Sequence, residues 1–371
     1  MKILHILEAT QGGTRRHVLD LLPALVARGI ACDLIYSPER HPPFRRDAAW
    51  LEARGVRCFE IGMARGWGGR HDAEALLALR AHLKAHRYDA IHCHSTKAGF
   101  VGRLAAPLRT PVVYTPHCIA FDTSLPRPQR RAARVVEKLL APRTRRFIAV
   151  SCHEARVIRR AGLCGENRLR TIYNGVDLPA FDALDTPHSS LLTPHSSLTV
   201  GCFGRLTRQK NQAALLHALP SLRRAVPGAR LLLVGSGEDE EELHALAAKL
   251  GIEGAVTFAG EIEEARPLYA ACDIVAQPSR WEGCPYSILE AMAAQRAVVV
   301  SGVGGVPEMV SSEVGITYHP TRPGILAEHL IALAQDDCRR EKLGAAGRRR
   351  LETHFEAARM VEATAEVYER L

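Results

Sequence analysis

Two glutamates, Glu282 and Glu290, stand eight residues apart. Gly283, Pro285 and Ser287 between them suggest a loop carrying the first and a helix carrying the second. A carboxylate is a pure acceptor with several lone pairs. One of the two can therefore meet a sugar while the other bridges the vicinal hydroxyls of a ribose. Either could also be a helix acid stabilised by the macrodipole. Arg205 and Lys210, five residues apart and introduced by Gly204, could together neutralise a diphosphate, or could be solvated surface cations. Gly12-Gly13 and Gly304-Gly305 each precede a helical pattern. Backbone N–H groups without side chains in the way can approach an anion there; tight turns would use the same residues. His117, after Pro116, can donate, accept or carry charge near neutral pH.

Such residues act only if strands and helices bring them to one edge. Lys2–Leu7, Ala31–Tyr36, Ala90–His94, Val112–Thr115 and Phe147–Ser151 read as strands, the first apolar at nearly every position as in a strand covered on both faces. Helical patterns fit about 15–28, 72–86, 97–106 and 129–140 between them. The second half repeats the scheme, with strands at Thr199–Gly204, Arg230–Val234, Val256–Ala259, Ile274–Gln277 and Ala297–Ser301, and helices at about 211–224 and 240–250. Strands alternating with helices imply parallel sheets, because parallel neighbours need crossovers. The expectation is an α/β chain of two doubly wound Rossmann-like domains: an N-terminal domain over 1–183, a linker over 184–198 and a C-terminal domain over 199–355. The linker holds the repeat Thr186–Leu191 and Thr193–Leu198, and its Pro and Ser favour an irregular connection. Ligands of such sheets sit outside the carboxyl ends of the strands, where the residues above fall.

Length and composition agree. At 371 residues and 47% apolar content, two domains with sizeable cores are expected. No apolar run approaches the length of a membrane span. The ten cysteines have no CxxC spacing, so reduced thiols are expected rather than a disulfide framework or zinc site. The formal charge is +9, made of +15 in residues 1–180 and −6 in the remainder. A surplus of that size suggests an acidic partner.

Taken together these residues resemble the family 4 retaining glycosyltransferases of the GT-B fold, of the type found in bacterial polysaccharide and glycolipid biosynthesis. The resemblance runs over nearly the whole chain: Gly12-Gly13, His94–Gly99, Thr115-Pro116-His117, Asn174–Asp177, Gly204-Arg205-Leu206 with Lys210, Val234–Gly237, Pro278-Ser279, Glu282 with Glu290–Ala293, and Gly304–Glu308. It implies two Rossmann-like domains facing a cleft, with the last helix, about 356–371, returning to the first domain. It further implies that Arg205 and Lys210 hold the donor diphosphate, Glu290 the ribose and Glu282 the transferred sugar. Gly305 and its neighbours would offer N–H groups to sugar or phosphate, Gly13 would close the opposite wall, and His117 would sit by the donor sugar. The implied reaction retains configuration through an oxocarbenium-like transition state, with the leaving phosphate deprotonating the acceptor hydroxyl. No protein nucleophile, cofactor or metal is expected, two cationic side chains standing in for the metal. Cys118, Cys284 and Gln295 depart from the family's usual Gly, Phe or Leu, and Gly.

The charge points further. Between Arg127 and Arg146 eight basic residues face one acid, Glu137, with Val135, Val136, Leu139 and Leu140 interleaved. A basic amphipathic helix over 129–140, flanked by Phe121 and Leu125, would lie on an anionic membrane surface. The expected partners are a nucleotide-sugar, UDP-linked by the habit of the family, and a saccharide acceptor that is lipid-linked. The expected location is cytoplasmic, peripheral on the inner face of the membrane. A soluble enzyme using a small molecule or sugar phosphate is the alternative. Gly235-Ser236-Gly237 hints at a dinucleotide enzyme but lacks the third glycine. A nucleic-acid binder would leave the paired glutamates unexplained and lacks interleaved aromatics in the basic stretch.

Overall fold

The structure, a computed structural model, describes residues 1–64, 69–123, 125–183, 198–322 and 324–371. It contains two compact units: Met1–Asn174 with Ala357–Leu371, and Gly175–Glu356. Residues 175–183 thus fall with the second unit rather than the first. The expected linker and its repeat, with His188 and His195, lie outside the described residues apart from Leu198.

In unit 1 the order is β1 (Lys2–Leu7), α1 (Gly13–Ala27), β2 (Ala31–Tyr36), α2 (Phe44–Glu52), β3 (Arg57–Glu60), α3 (Arg70–Ala85), β4 (Ala90–His94), α4 (Thr96–Ala105), β5 (Val112–Thr115), α5 (Arg127–Leu140), β6 (Arg146–Ala149), α6 (Cys152–Arg160) and β7 (Leu169–Thr171). The strands form one parallel sheet in the order 3-2-1-4-5-6-7. Strand periodicity distributes the side chains of β1 between two cores. Ile3 and Leu7 pack with Val18, Leu21, Leu25 and Tyr368, while Leu4 and Ile6 pack with Ile91, Val101 and Phe147. The same alternation puts His5 on the face of Ile3, and His92 and His94 on the face of Ala90. That face is covered by α1 and by the last helix of the chain.

In unit 2 the order is α7 (Leu178–Asp182), β8 (Thr199–Phe203), α8 (Ala213–Ala225), β9 (Arg230–Val234), α9 (Glu240–Lys249), β10 (Val256–Phe258), β11 (Ile274–Gln277), α10 (Tyr286–Ala293), β12 (Ala297–Ser301), α11 (Val306–Met309), β13 (Gly315–Tyr318), α12 (Ile325–Ala334) and α13 (Asp337–His354). Its parallel sheet runs 10-9-8-11-12-13. The final helix, α14 (Ala357–Glu369), belongs to unit 1, where Met360, Val361, Ala365 and Tyr368 join the first of its cores. In both sheets the order reverses beside the first strand, the switch point at which doubly wound sheets take ligands.

The basic helix expected over 129–140 is present as α5. The helix begins at Arg127, and its buried residues are Ala133, Glu137 and Leu140. Val135 and Leu139 are 56% and 73% exposed. Glu137 turns inward because Arg103 reaches it from α4 at 2.9 Å, both side chains fully buried, and Tyr114 donates to it at 3.0 Å. The one acid of the basic stretch is therefore neutralised inside, and the outer surface of α5 carries Arg127, Arg130, Arg131, Arg134 and Lys138 beside two exposed aliphatics.

Candidate active site

In unit 2 the loop after β8 carries the cations and the loop after β11 carries the first glutamate. Three contacts fasten one loop to the other. Gln209 Nε2 donates to the Trp281 carbonyl at 3.0 Å, Arg280 N to the Gln209 carbonyl at 2.8 Å, and Asn211 Nδ2 to the Pro278 carbonyl at 3.0 Å. Asn211 takes φ 57°, a left-handed conformation that asparagine tolerates better than most residues. Held this way, Lys210 Nζ donates to Glu282 Oε1 at 2.7 Å, with the side chains 14% and 6% exposed. Gly204 precedes them, and the half-buried Arg205 is fixed through its carbonyl, which accepts from Gln212 Nε2 at 2.9 Å.

Gly304 closes on the same glutamate. With φ 55°, a β-carbon there would stand 1.8 Å from the Glu282 carbonyl oxygen. Gly305 donates its N–H to that oxygen at 3.3 Å. The Gly305 N–H, expected to serve a sugar or phosphate, is thus engaged with the Glu282 backbone in this structure. Gly304 is required by backbone packing around Glu282.

Glu290 sits on α10, where its Oε2 accepts from the Tyr269 hydroxyl at 2.9 Å. Tyr269 is buried and stacks on Phe203 with ring centroids 3.7 Å apart. Burial, and then Glu290, hold its hydroxyl well above the usual phenol range, so it stays a donor and orients the carboxylate. Sequence reading missed this tyrosine, which lies on a turn before β11 with no motif around it. The Gly235-Ser236-Gly237 segment also has its explanation. A β-carbon on Gly235 would stand 2.3 Å from the Gly204 carbonyl oxygen, so the glycine lets two βα loops touch.

In unit 1, Gly12 caps α1 with φ 70°, and Gly13 is the first helical residue. His117 follows β5 with φ 59°, and Ser95 follows β4 with φ 79°. Two non-glycine residues in sparsely populated conformations at adjacent strand ends are the kind of strain that gathers at functional sites. The His117 ring meets His94 Nδ1 through Nε2 at 3.1 Å and lies edge-on to His17 at 4.6 Å. Burial keeps it well below the ordinary imidazole pKa, hence neutral at pH 7.

Residues 11–179 match the family described as Glycosyltransferase Family 4, and residues 186–350 match Glycosyl transferases group 1. The chain belongs to the family 4 glycosyltransferases. Its match to a UDP-Gal:alpha-D-GlcNAc-diphosphoundecaprenol alpha-1,3-galactosyltransferase of Escherichia coli is 29% identical over 255 residues, covering 65% of each protein. To a D-inositol 3-phosphate glycosyltransferase of Segniliparus rotundus it is 28% identical over 330 residues, covering 82% of this chain and 72% of that protein. The chain thus spans a little under two thirds of the first of these relatives. Its structure superposes on HepE of Anabaena, solved in complex with UDP, with TM-score 0.79, 25% identity and full coverage of both chains. Both sheets of this family 4 glycosyltransferase are those of the GT-B fold.

In this GT-B chain the structure brings Gly204, Lys210, Glu282, Gly304 and Gly305 into one cluster within unit 2. Glu290 sits on the helix that follows the Glu282 loop. Gly12, Gly13 and His117 are carried by unit 1. None of the ten cysteines is in a disulfide. Among the described residues no helix is long and apolar enough to cross a membrane.

Proposed function

We propose that this chain is a retaining glycosyltransferase that moves a sugar from a nucleotide-sugar, UDP-linked, to a hydroxyl of a lipid-linked saccharide in cell-envelope polysaccharide or glycolipid assembly. The observation that carries the reading is the Lys210–Glu282 pair, held 2.7 Å apart by loop-to-loop hydrogen bonds with a tyrosine-oriented Glu290 on the next helix. A donor diphosphate takes Lys210 and Arg205 as counter-charges, and Glu282 is then left to accept from hydroxyls of the sugar. Glu290 bridges the ribose hydroxyls. As the glycosidic bond to the diphosphate lengthens, negative charge grows on the leaving oxygens, and preorganised cations are worth most at that moment. Two such cations stand where other transferases use a metal, so transfer proceeds without one. The departing phosphate takes the acceptor proton.

The acceptor side rests on α5. Its exposed cations beside Val135 and Leu139 have the composition of an interfacial helix that inserts aliphatics while its cations meet anionic headgroups. The E. coli relative, whose name gives it a diphosphoundecaprenol acceptor, supports the same choice. The Segniliparus relative, named for D-inositol 3-phosphate, favours a second reading in which the basic unit binds a small sugar phosphate.

The test is a panel of nucleotide-sugars with and without lipid-linked acceptors, followed by NMR of the anomeric proton in the product. The reading expects donor-dependent transfer with retained configuration, unaffected by EDTA, and flotation with anionic but not neutral liposomes. Inverted product sinks the retaining mechanism, and equal recovery with both vesicles sinks the membrane surface. Turnover on a soluble sugar phosphate alone selects the second reading.

A further inference from the structure

Strand alternation and the order β1-β4-β5 collect five histidines that are scattered through the sequence. His5, His92 and His94 are 0–1% exposed and His17 is 5% exposed. One ring nitrogen from each of His17, His94 and His117 lies within 4.8 Å of the others, and the same holds for His5, His92 and His94. The two groups differ in what their remaining nitrogens do. His92 is used up: Nδ1 meets the Tyr368 hydroxyl at 2.5 Å and Nε2 the Thr115 hydroxyl at 2.8 Å. His17 is different. Its Nδ1 lies 3.0 Å from Asn174 Oδ1, an atom that only accepts, so Nδ1 carries the proton and Nε2 the lone pair. His94 joins the set through Nδ1, with its Nε2 directed at His5 Nδ1 at 3.0 Å.

We propose that His17, His94 and His117 form a three-imidazole site for a divalent ion of the zinc class, with solvent as the fourth ligand. His94 Nδ1 and His117 Nε2 are 3.1 Å apart. Zn–N bonds of about 2.0–2.1 Å in a tetrahedron put ligand nitrogens about 3.3 Å apart, so this pair is already at ligand spacing, and His17, whose ring nitrogen lies within 4.8 Å of both, closes on the ion by a side-chain shift. The outer shell is also present. Metal-bound imidazoles direct their second nitrogen to an acceptor that fixes the tautomer, and Asn174 and His5 occupy those places for His17 and His94. His5 in that role keeps its proton on Nε2, which is buried without a partner among the described residues. Serving as acceptor for His94 accounts for that otherwise unfavourable orphan.

The rings are in the ligating state already. Burial lowers His17 to about 4 and His94 and His117 well below the ordinary 6.5, so all three are neutral at pH 7. An all-nitrogen set without carboxylates suits Zn²⁺, Co²⁺, Ni²⁺ or Cu²⁺ and not Mg²⁺ or Ca²⁺. The site lies wholly within unit 1 and uses none of the residues assigned to the donor diphosphate. The family resemblance also puts His117 by the donor sugar, but ion binding is read without any transfer, so either assignment can fail alone.

The test is titration of untagged, EDTA-stripped full-length protein with Co²⁺, whose tetrahedral complexes absorb strongly in the visible, followed by displacement with Zn²⁺. The expected result is one Co²⁺ per chain, displaced by Zn²⁺ and not by Mg²⁺. His17→Gln and His117→Gln should each weaken binding at least tenfold while keeping the wild-type circular dichroism. Asn174→Ala should weaken it by about 10–100-fold, the usual effect of losing an outer-shell partner, and Asn174→Asp should restore it. Absence of the visible band overturns the site. So does a band that survives both His17→Gln and His117→Gln, or one that disappears only with the double variant His188→Gln/His195→Gln.

Discussion

Both units end their parallel strands in a polar cluster, yet the two clusters hold opposite kinds of chemistry. Unit 2 presents charge: Lys210 and Glu282 are paired at 2.7 Å with the lysine still partly exposed. Unit 1 presents neutral rings, where burial has removed the charge from five histidines. The difference shows what depth decides on a shared scaffold. Near the surface an ion pair keeps its charge and can exchange its partner for a ligand's phosphate. Sealed between a sheet and helices, an ionisable group either becomes neutral or takes a fully buried partner, as Arg103 does with Glu137.

The largest effect separating the two regions is expected at that buried pair. Glu137→Ala leaves the Arg103 guanidinium buried without its counter-charge, which costs about 3–5 kcal/mol. Denaturant melts should show that loss, while nucleotide binding at low denaturant stays unchanged. A parallel loss of nucleotide affinity would mean the units do not divide the work as described. Lys210→Ala should do the reverse. Removing one preorganised charge from a transition state lowers turnover about 10²–10³-fold, with a smaller loss of stability than Glu137→Ala because this pair is partly exposed.

Acid provides the next contrast. His5 is lowered to about 3 and His17 to about 4 from an ordinary 6.5, with burial the first cause in both. In the unfolded chain these rings take up protons below pH 6.5 that the folded unit refuses. The stability they confer is complete above pH 6.5 and is lost as the pH falls toward 4 to 3. Each adds about 1.4 kcal/mol per pH unit to the slope. Glu154, also in unit 1, acts oppositely. Burial pushes its carboxyl up to about 7, so its contribution fades as the pH rises from 4.5 to about 7. Five rings outweigh one carboxyl, and unit 1 should soften first. Hydrogen exchange at pH 5 should show β1 and β4 losing protection before β8 and β11. Simultaneous loss, or earlier loss in unit 2, would remove burial as the reason for the neutral cluster.

The smallest expected change is at Gln295, which holds φ 55° on an exposed turn after α10. Its replacement by glycine relieves a left-handed conformation at the cost of a looser unfolded chain. A gain of up to about 1 kcal/mol is expected, measured as a raised denaturation midpoint with unchanged activity.

Much of this was legible in the residues, and the exceptions have physical causes. Lys2–Leu7 announces a doubly covered strand because nearly every position is apolar. Polar edge strands such as Arg57–Glu60 and Leu169–Thr171 carry no such signal, since only one side of an edge is paired and their burial is partial. Glu282 and Glu290 could be found from local spacing. The pairing of Glu282 with Lys210 could not, because it depends on loops 72 residues apart being tied together. His117 stood out beside Pro116, while its neighbours did not. His5, His17 and His94 become one cluster only through sheet order and the two-residue alternation of β1 and β4. The basic helix over 129–140 was legible, but not which aliphatics face outward, because that was set by the partner waiting for Glu137 on α4.

The central claim is that the charged cluster of unit 2 grips a nucleoside diphosphate through Arg205 and Lys210. Calorimetric titration with UDP and with uridine tests it most directly. The account predicts that UDP binds at least about 100-fold more tightly than uridine, that added salt narrows the gap, and that Arg205→Ala or Lys210→Ala removes most of it. Equal affinity for uridine and UDP, or a preference for UDP that survives both substitutions, would contradict it.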